Sequence, residues 1–329
     1  MNHDAYFHFG QPRYGPVRNS LAVMNDHGIE RAVLVHGPFM PDLNAINEAH
    51  RLGKGRLRCI GTPLAPWQGD DDQAAVIVDW MLEAGVIGFR LQGAEYFNCE
   101  YLLTRAGEEG RWLYAVNPQE SPEHTAKLLQ WLTDYPKGRV MIPHHLHLDP
   151  AWHDRPGMRE LETHPRVFAI LSRHGGVSRE AWPHKDLEAW VRTTIDIMGW
   201  NKVCWGGEYP VLYWRNETLP DALEWLRALL PEAADHWDDF ISGTASRLLF
   251  DETDWSPRER VLPEGHHYDG MDVHISQYKL PFELFDRLLP AYREMSKTRE
   301  IRFHEFLSET LSRGLCPDNV VSSQSMDVS

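Results

Sequence analysis

The chain has 329 residues and carries 33 basic against 48 acidic side chains, a formal net charge of −15. A surface this acidic repels phosphate backbones and anionic headgroups, so neither nucleic acid nor a membrane is expected as a partner. Hydrophobic residues at 42% and charged residues at 25% are ordinary globular values, which excludes wholesale disorder.

Short β-branched or aromatic runs recur at 5–9, 31–36, 57–62, 86–91, 111–116, 139–144, 167–172 and 202–206, with starts 25 to 35 residues apart. Helix-length segments with apolar residues at helical spacing lie between them. Asp70, Asp71 and Asp72 precede one such segment, where acids face the positive end of the helix dipole, and Gly85 ends it. Ser121-Pro122 opens another, with serine as N-cap and proline at the first helical position. Eight strand–helix units at this spacing predict a (β/α)8 TIM barrel of the α/β class over residues 1–250. The competing architecture is an open doubly wound sheet. No GxGxxG or GxxxxGK[ST] follows any strand, so the barrel is preferred.

Residues 251–329 break the repeat. A Pro/Gly-rich stretch leads to predicted helices over 281–295 and 301–313, and a Ser-rich tail from 320 has a disordered composition. This C-terminal extension is expected to pack on the barrel or on a second copy, as a homo-oligomer contact. Cys59, Cys99, Cys204 and Cys316 stand far apart with no CxxC pair, as in a reduced cytoplasmic protein. No apolar run is long enough to span a membrane, and no signal-peptide pattern opens the chain.

Barrel sites gather at the carboxyl ends of the strands. Those positions hold Tyr6 and His8, Arg90 and Gln92, Asn117, His144 and His145, Ser172 to His174, and Glu208. Tyr6 and His8, two apart on one strand, share a face. Gly206-Gly207 lets the backbone leave the barrel sharply and sets the Glu208 carboxylate at the rim. The His266-His267 pair and most tryptophans read as loop and core.

Tyr6-Phe7-His8-Phe9-Gly10 resembles the first-strand HxH of the amidohydrolase superfamily, in its amidohydrolase-related branch. Residues 27–33 look like that branch's entry to strand two, and Ile142-Pro143-His144 like its buried histidine. Residues 205–210 look like its terminal GSDYP, and 243–250 like its closing NAxRLF helix. The resemblance implies a barrel enzyme related to lactone hydrolases and to aromatic-acid or semialdehyde decarboxylases. It also implies a metal set of His8, His144 and Glu208, suited to zinc or manganese. Two departures weaken that set, Tyr6 for histidine and Glu208 for aspartate. Some lactone hydrolases of the branch need no metal, so metal-independent action is a serious alternative.

The expected function is hydrolysis of a small lactone or cyclic amide. Glu208 would activate water as general base, and His8, His144 and Tyr6 would stabilise the carbonyl oxygen. Arg90, Gln92, Arg173 and His145 would bind the substrate, with Arg90 orienting a carboxylic acid. The alternatives are a metal-dependent non-oxidative decarboxylase and a barrel that binds a ligand or partner without catalysis.

Overall fold

The computed structural model describes residues 2–10, 14–37, 41–63, 72–215, 217–253, 255–261 and six positions between 291 and 310. All eight predicted strands are present: β1 (Asn2–Phe9), β2 (Ile29–His36), β3 (Leu57–Gly61), β4 (Gly88–Gln92), β5 (Trp112–Val116), β6 (Arg139–Ile142), β7 (Val167–Leu171) and β8 (Val203–Trp205). Each pairs in parallel with the next in a single eight-stranded sheet. The chain past β8 completes the ring. Glu208 N donates to Tyr6 O and His8 N to Tyr209 O, both at 2.8 Å, so the end of β8 runs along β1.

Between the strands lie α1 (Val17–Asp26), α2 (Leu43–Gly53), α3 (Asp72–Glu83), α4 (Glu95–Asn98), α5 (Glu100–Glu108), α6 (Pro122–Asp134), α7 (Met158–Thr163), α8 (His174–Val177) and α9 (Glu188–Met198), and after β8 come α10 (Leu219–Leu229) and α11 (Thr244–Ser246). Ser121 caps α6 as expected, its hydroxyl accepting from Glu123 N at 3.1 Å. Gly85 ends α3 with φ of +87°, and a side chain there would collide with Ser256 O.

Alternate strand residues fill the barrel interior: Val33 and Val35, Trp112 and Tyr114, Phe168 and Ile170, all buried. Leu248, Leu249 and Phe250 continue this core below the strands. Phe250 lies under two guanidiniums, Arg31 at 5.3 Å and Arg58 at 4.9 Å from its ring centre. Arg139 covers Trp112 at 4.9 Å and Arg111 covers Trp255 at 4.2 Å. Each such contact contributes about 0.5–2 kcal/mol, so this end of the barrel is built for stability.

The chain divides into two compact units, Met1–Gly265 and His266–Ser329. The division therefore falls after the expected residue 250, because segment 255–261 is bonded into the barrel. Arg258 N donates to Ala84 O, and Trp80 Nε1 donates to Val261 O, both at 2.6 Å. In the second unit, residues 291–292, 294–295, 306 and 310 are helical, within the two predicted helices. His266, His267, Cys316 and the predicted tail lie outside the described residues. Cys59, Cys99 and Cys204 are buried free thiols. Among the described residues no helix is long and apolar enough to cross a membrane.

Candidate active site

Four strands in succession end on a non-glycine residue in the left-handed region. Asn117 follows β5 (φ +53°), His144 follows β6 (+56°), Arg173 follows β7 (+69°) and Glu208 follows β8 (+52°). That conformation costs an L-residue about 1–2 kcal/mol relative to glycine. At the end of β4 the same bend is made by Gly93, at +52°. Four such corners stand around one rim, the kind of backbone strain that clusters at binding and catalytic sites.

Three of those corners converge. Glu208, 1% exposed, accepts from Arg173 Nε and Nη2 on Oε1, at 3.2 and 3.1 Å, and from Arg215 Nη1 on Oε2. His144 Nε2 lies 3.4 Å from the same Oε1. Ser172 Oγ, 2.8 Å from His144 Nδ1, also receives the His144 backbone N–H at 3.2 Å. A carboxylate facing Nε2 calls for the proton there, so the Ser172 hydroxyl turns its own hydrogen to Nδ1. Burial, and then the nearby guanidiniums of Arg173, Arg90 and Arg215, hold the His144 imidazole well below its usual pKa. His144 is thus a neutral donor.

Tyr6 is fully buried, with its ring 4.6 Å from that of His144 and 5.0 Å from that of His8. Its hydroxyl oxygen accepts from Arg90 Nε at 3.0 Å, which leaves the hydroxyl hydrogen to donate. Burial raises the Tyr6 pKa, which keeps the phenol protonated. His8 Nδ1 donates to Val35 O at 3.0 Å; a carbonyl only accepts, so Nε2 carries the lone pair. Tyr14 stacks on the His8 ring at 4.2 Å.

Arg90 is held from two sides, by Tyr6 and by Gln92 Oε1, which accepts from Nη2 at 2.7 Å. Among the described residues its buried Nη1 has no hydrogen-bond partner. Gln92 thereby serves Arg90, and its backbone N–H is tied to Glu95 Oε2 at 2.7 Å. Beneath the site, Asp4 Oδ1 accepts from both Tyr6 N (2.9 Å) and Gly207 N (3.0 Å), which joins β1 to the turn that presents Glu208. Burial raises the Asp4 carboxyl to about 7.

Of the expected residues, Tyr6, His8, Arg90, Gln92, His144, Arg173 and Glu208 line this rim. His145 does not join them. It is turned into the wall, fully buried, with Nε2 2.9 Å from Glu162 Oε1, because consecutive residues after β6 point to opposite sides. His174 is also buried, with Nδ1 3.1 Å from Glu217 Oε1. Arg215 was absent from the sequence reading. It sits in the irregular Val211–Arg215 turn, where no periodicity marks a functional cation.

No protein-family model matches the chain. It is 36% identical over 100 residues to an L-fucono-1,5-lactonase of Burkholderia ambifaria; the match spans 28% of this chain and a third of that protein (33%). Its fold is similar to a probable 2-pyrone-4,6-dicarboxylic acid hydrolase of Acinetobacter baumannii, solved with citric acid bound. There the TM-score is 0.56 at 16% identity, over 75% of this chain and 98% of that one. An amidohydrolase of Burkholderia multivorans, solved with bound zinc, gives a TM-score of 0.55 at 13% identity over 75% and 98%. Solved decarboxylases share the fold as well. The chain thus shares its barrel fold with these hydrolases and decarboxylases.

Proposed function

We propose that the protein hydrolyses a small lactone, or a cyclic amide, that bears a carboxylate, with Glu208 as the general base. The observation that carries this reading is the charge of the mouth. Arg173 and Arg215 hold the Glu208 carboxylate, Arg90 is bonded to the Tyr6 hydroxyl, and among the described residues the buried Arg90 Nη1 has no hydrogen-bond partner. Such a site attracts an anionic substrate on a protein whose overall charge repels one.

Each residue then has a distinct task. Arg90 Nη1 takes the substrate carboxylate, and Gln92 and Tyr6 hold the guanidinium in place. The Tyr6 hydroxyl donates to the carbonyl oxygen as it gains charge, and His144 Nε2–H, which faces Glu208 Oε1, orients the base. Glu208 Oε2 accepts one guanidinium hydrogen and has a second lone-pair direction for the attacking water, from which it removes a proton. Arg173 and Arg215 fix the carboxylate's orientation. His8 changes role from the sequence expectation. Its Nε2 lone pair suits it to orient the water, and in the neutral state it has no hydrogen for the oxyanion.

The expected metal set of His8, His144 and Glu208 fits a divalent cation poorly. Each oxygen of its only carboxylate already accepts a guanidinium hydrogen, the tyrosine stands in the first-strand position, and the positive charges of Arg173, Arg90 and Arg215 all bear on His144. A mouth that acts through hydrogen-bond donors favours activated esters over unactivated amides. A panel of lactones with and without a carboxylate, assayed with aromatic acids for decarboxylation, tests the reading. Turnover of a carboxylated lactone that survives chelation supports it. Release of carbon dioxide from an aromatic acid, with no lactone turned over, rejects it.

A further inference from the structure

Apart from the mouth, a second group of ionisable side chains is packed into the barrel wall. His145 follows β6, His153 lies in the short helical turn Pro150–Asp154, and Glu162 sits on α7. All three are fully buried. Glu162 Oε1 lies 2.9 Å from His145 Nε2 and 2.6 Å from His153 Nδ1. Their ligand atoms all fall within 4.8 Å of one another, and among the described residues no other group of three His, Cys, Asp or Glu side chains does so.

Hydrogen bonding alone leaves this group incomplete. One carboxylate oxygen is crowded by two imidazoles while, among the described residues, Glu162 Oε2 has no partner. The contact to His145 is close but not aligned as a hydrogen bond, and neither ring nitrogen of His145 has a hydrogen-bond partner there. Buried polar atoms without partners are costly, and three of them here belong to two touching residues. A cation between the three side chains accepts a lone pair from each and balances the carboxylate charge.

The surroundings suit a bound ion. His153 Nε2 lies 3.5 Å from Thr194 Oγ1, the kind of outer contact that orients a ligand imidazole. The Trp190 ring stacks on His153 at 3.8 Å, and its indole N–H donates to His145 O at 2.9 Å, so both ligand-bearing segments are held by one side chain. Among the described residues no arginine is paired to this carboxylate, unlike Glu208.

We propose that His145, His153 and Glu162 bind a structural divalent cation. Two imidazoles and a carboxylate match zinc best among the common ions. Full burial denies it substrate, so its task is to tie the segment after β6, and with it the strained backbone of His144, to α7. This site is independent of the reaction assigned to the mouth.

Elemental analysis of the full chain, stripped by chelator and reloaded with zinc, tests it. The expected result is a single zinc per chain that survives gel filtration, lost in Glu162→Gln and His153→Ala and kept in His8→Ala. Because a wall variant can fail to fold, cobalt loading of the wild-type chain gives a second readout: d–d bands of a nitrogen- and oxygen-bound ion, without a thiolate charge-transfer band. A wild-type chain that takes up neither metal overturns the proposal. So does zinc that is lost in His8→Ala and retained in Glu162→Gln, which would put the ion in the mouth.

Discussion

The two ends of the barrel use arginine in opposite ways. At the floor, Arg31, Arg58, Arg111 and Arg139 lie over aromatic rings, and the floor residues Phe250 and Trp112 are buried with them. At the mouth, Arg90, Arg173 and Arg215 converge on a tyrosine hydroxyl and one carboxylate, on backbone bent into the left-handed region at three of the strand ends. The floor is held by these stacked contacts. The mouth carries the strained backbone and, among the described residues, a buried Arg90 Nη1 without a hydrogen-bond partner, features that suit a ligand site.

If the contrast holds, the two ends respond to mutation through different observables. The largest effect is expected for Glu208→Gln, which removes the proposed base and should lower kcat by about 10²–10⁴-fold at a temperature where the chain stays folded. Phe250→Ala is the floor's counterpart. It should destabilise the barrel by about 3–5 kcal/mol, read by denaturant unfolding, while kcat/KM at a temperature where the chain stays folded is preserved. Loss of activity in proportion to floor stability would blur the distinction.

A smaller effect tests the strain at the rim. Asn117→Gly relieves a left-handed residue whose side chain bonds only Glu120, at 2.7 Å among the described residues. It should raise stability by up to about 1 kcal/mol with turnover unchanged. A stability loss would mean that the corner is not strained.

A pH dependence at Asp4 tests the link between β1 and the turn that presents Glu208. Burial raises its carboxyl from 3.8 to about 7 in the folded chain. Between those values the folded state holds a proton that the unfolded state has released, so stability contributed by Asp4 falls as pH rises, then levels above about 7. Asp4→Asn keeps an oxygen to accept from Tyr6 N and Gly207 N. Its melting temperature should therefore match the wild type near pH 4 and exceed it by a few degrees near pH 8, about 2–4 °C per kcal/mol. Parallel melting curves across that range would remove Asp4 from the account.

Much of this was legible in the sequence because strand and helix periods differ and repeat eight times. The strand runs fell on all eight strands, and Tyr6, His8, Arg90, His144, Arg173 and Glu208 were placed at the rim by their position after those runs. What escaped depended on direction and on distance along the chain. His145 was read as a substrate contact, since a sequence cannot say to which side of a bent strand end a ring turns. Arg215 lies in an irregular turn seven residues past its partner, and segment 255–261 looked like extension until its bonds to Ala84 and Trp80 were seen. The left-handed corners carry no signal in residue type, because none of the four is glycine.

The central claim is that the mouth recognises a carboxylate through Arg90 and hydrolyses the ring beside it. Its most direct test is kcat/KM for a matched pair of lactones, with and without a carboxylate, in the wild-type chain and in Arg90→Met. A charge-assisted pair of this kind is worth about 1.5–3 kcal/mol, so the variant should lose roughly 10–150-fold on the carboxylated lactone. The uncharged lactone should be turned over equally slowly by both chains. Equal losses on the two lactones, or none on either, would contradict the account.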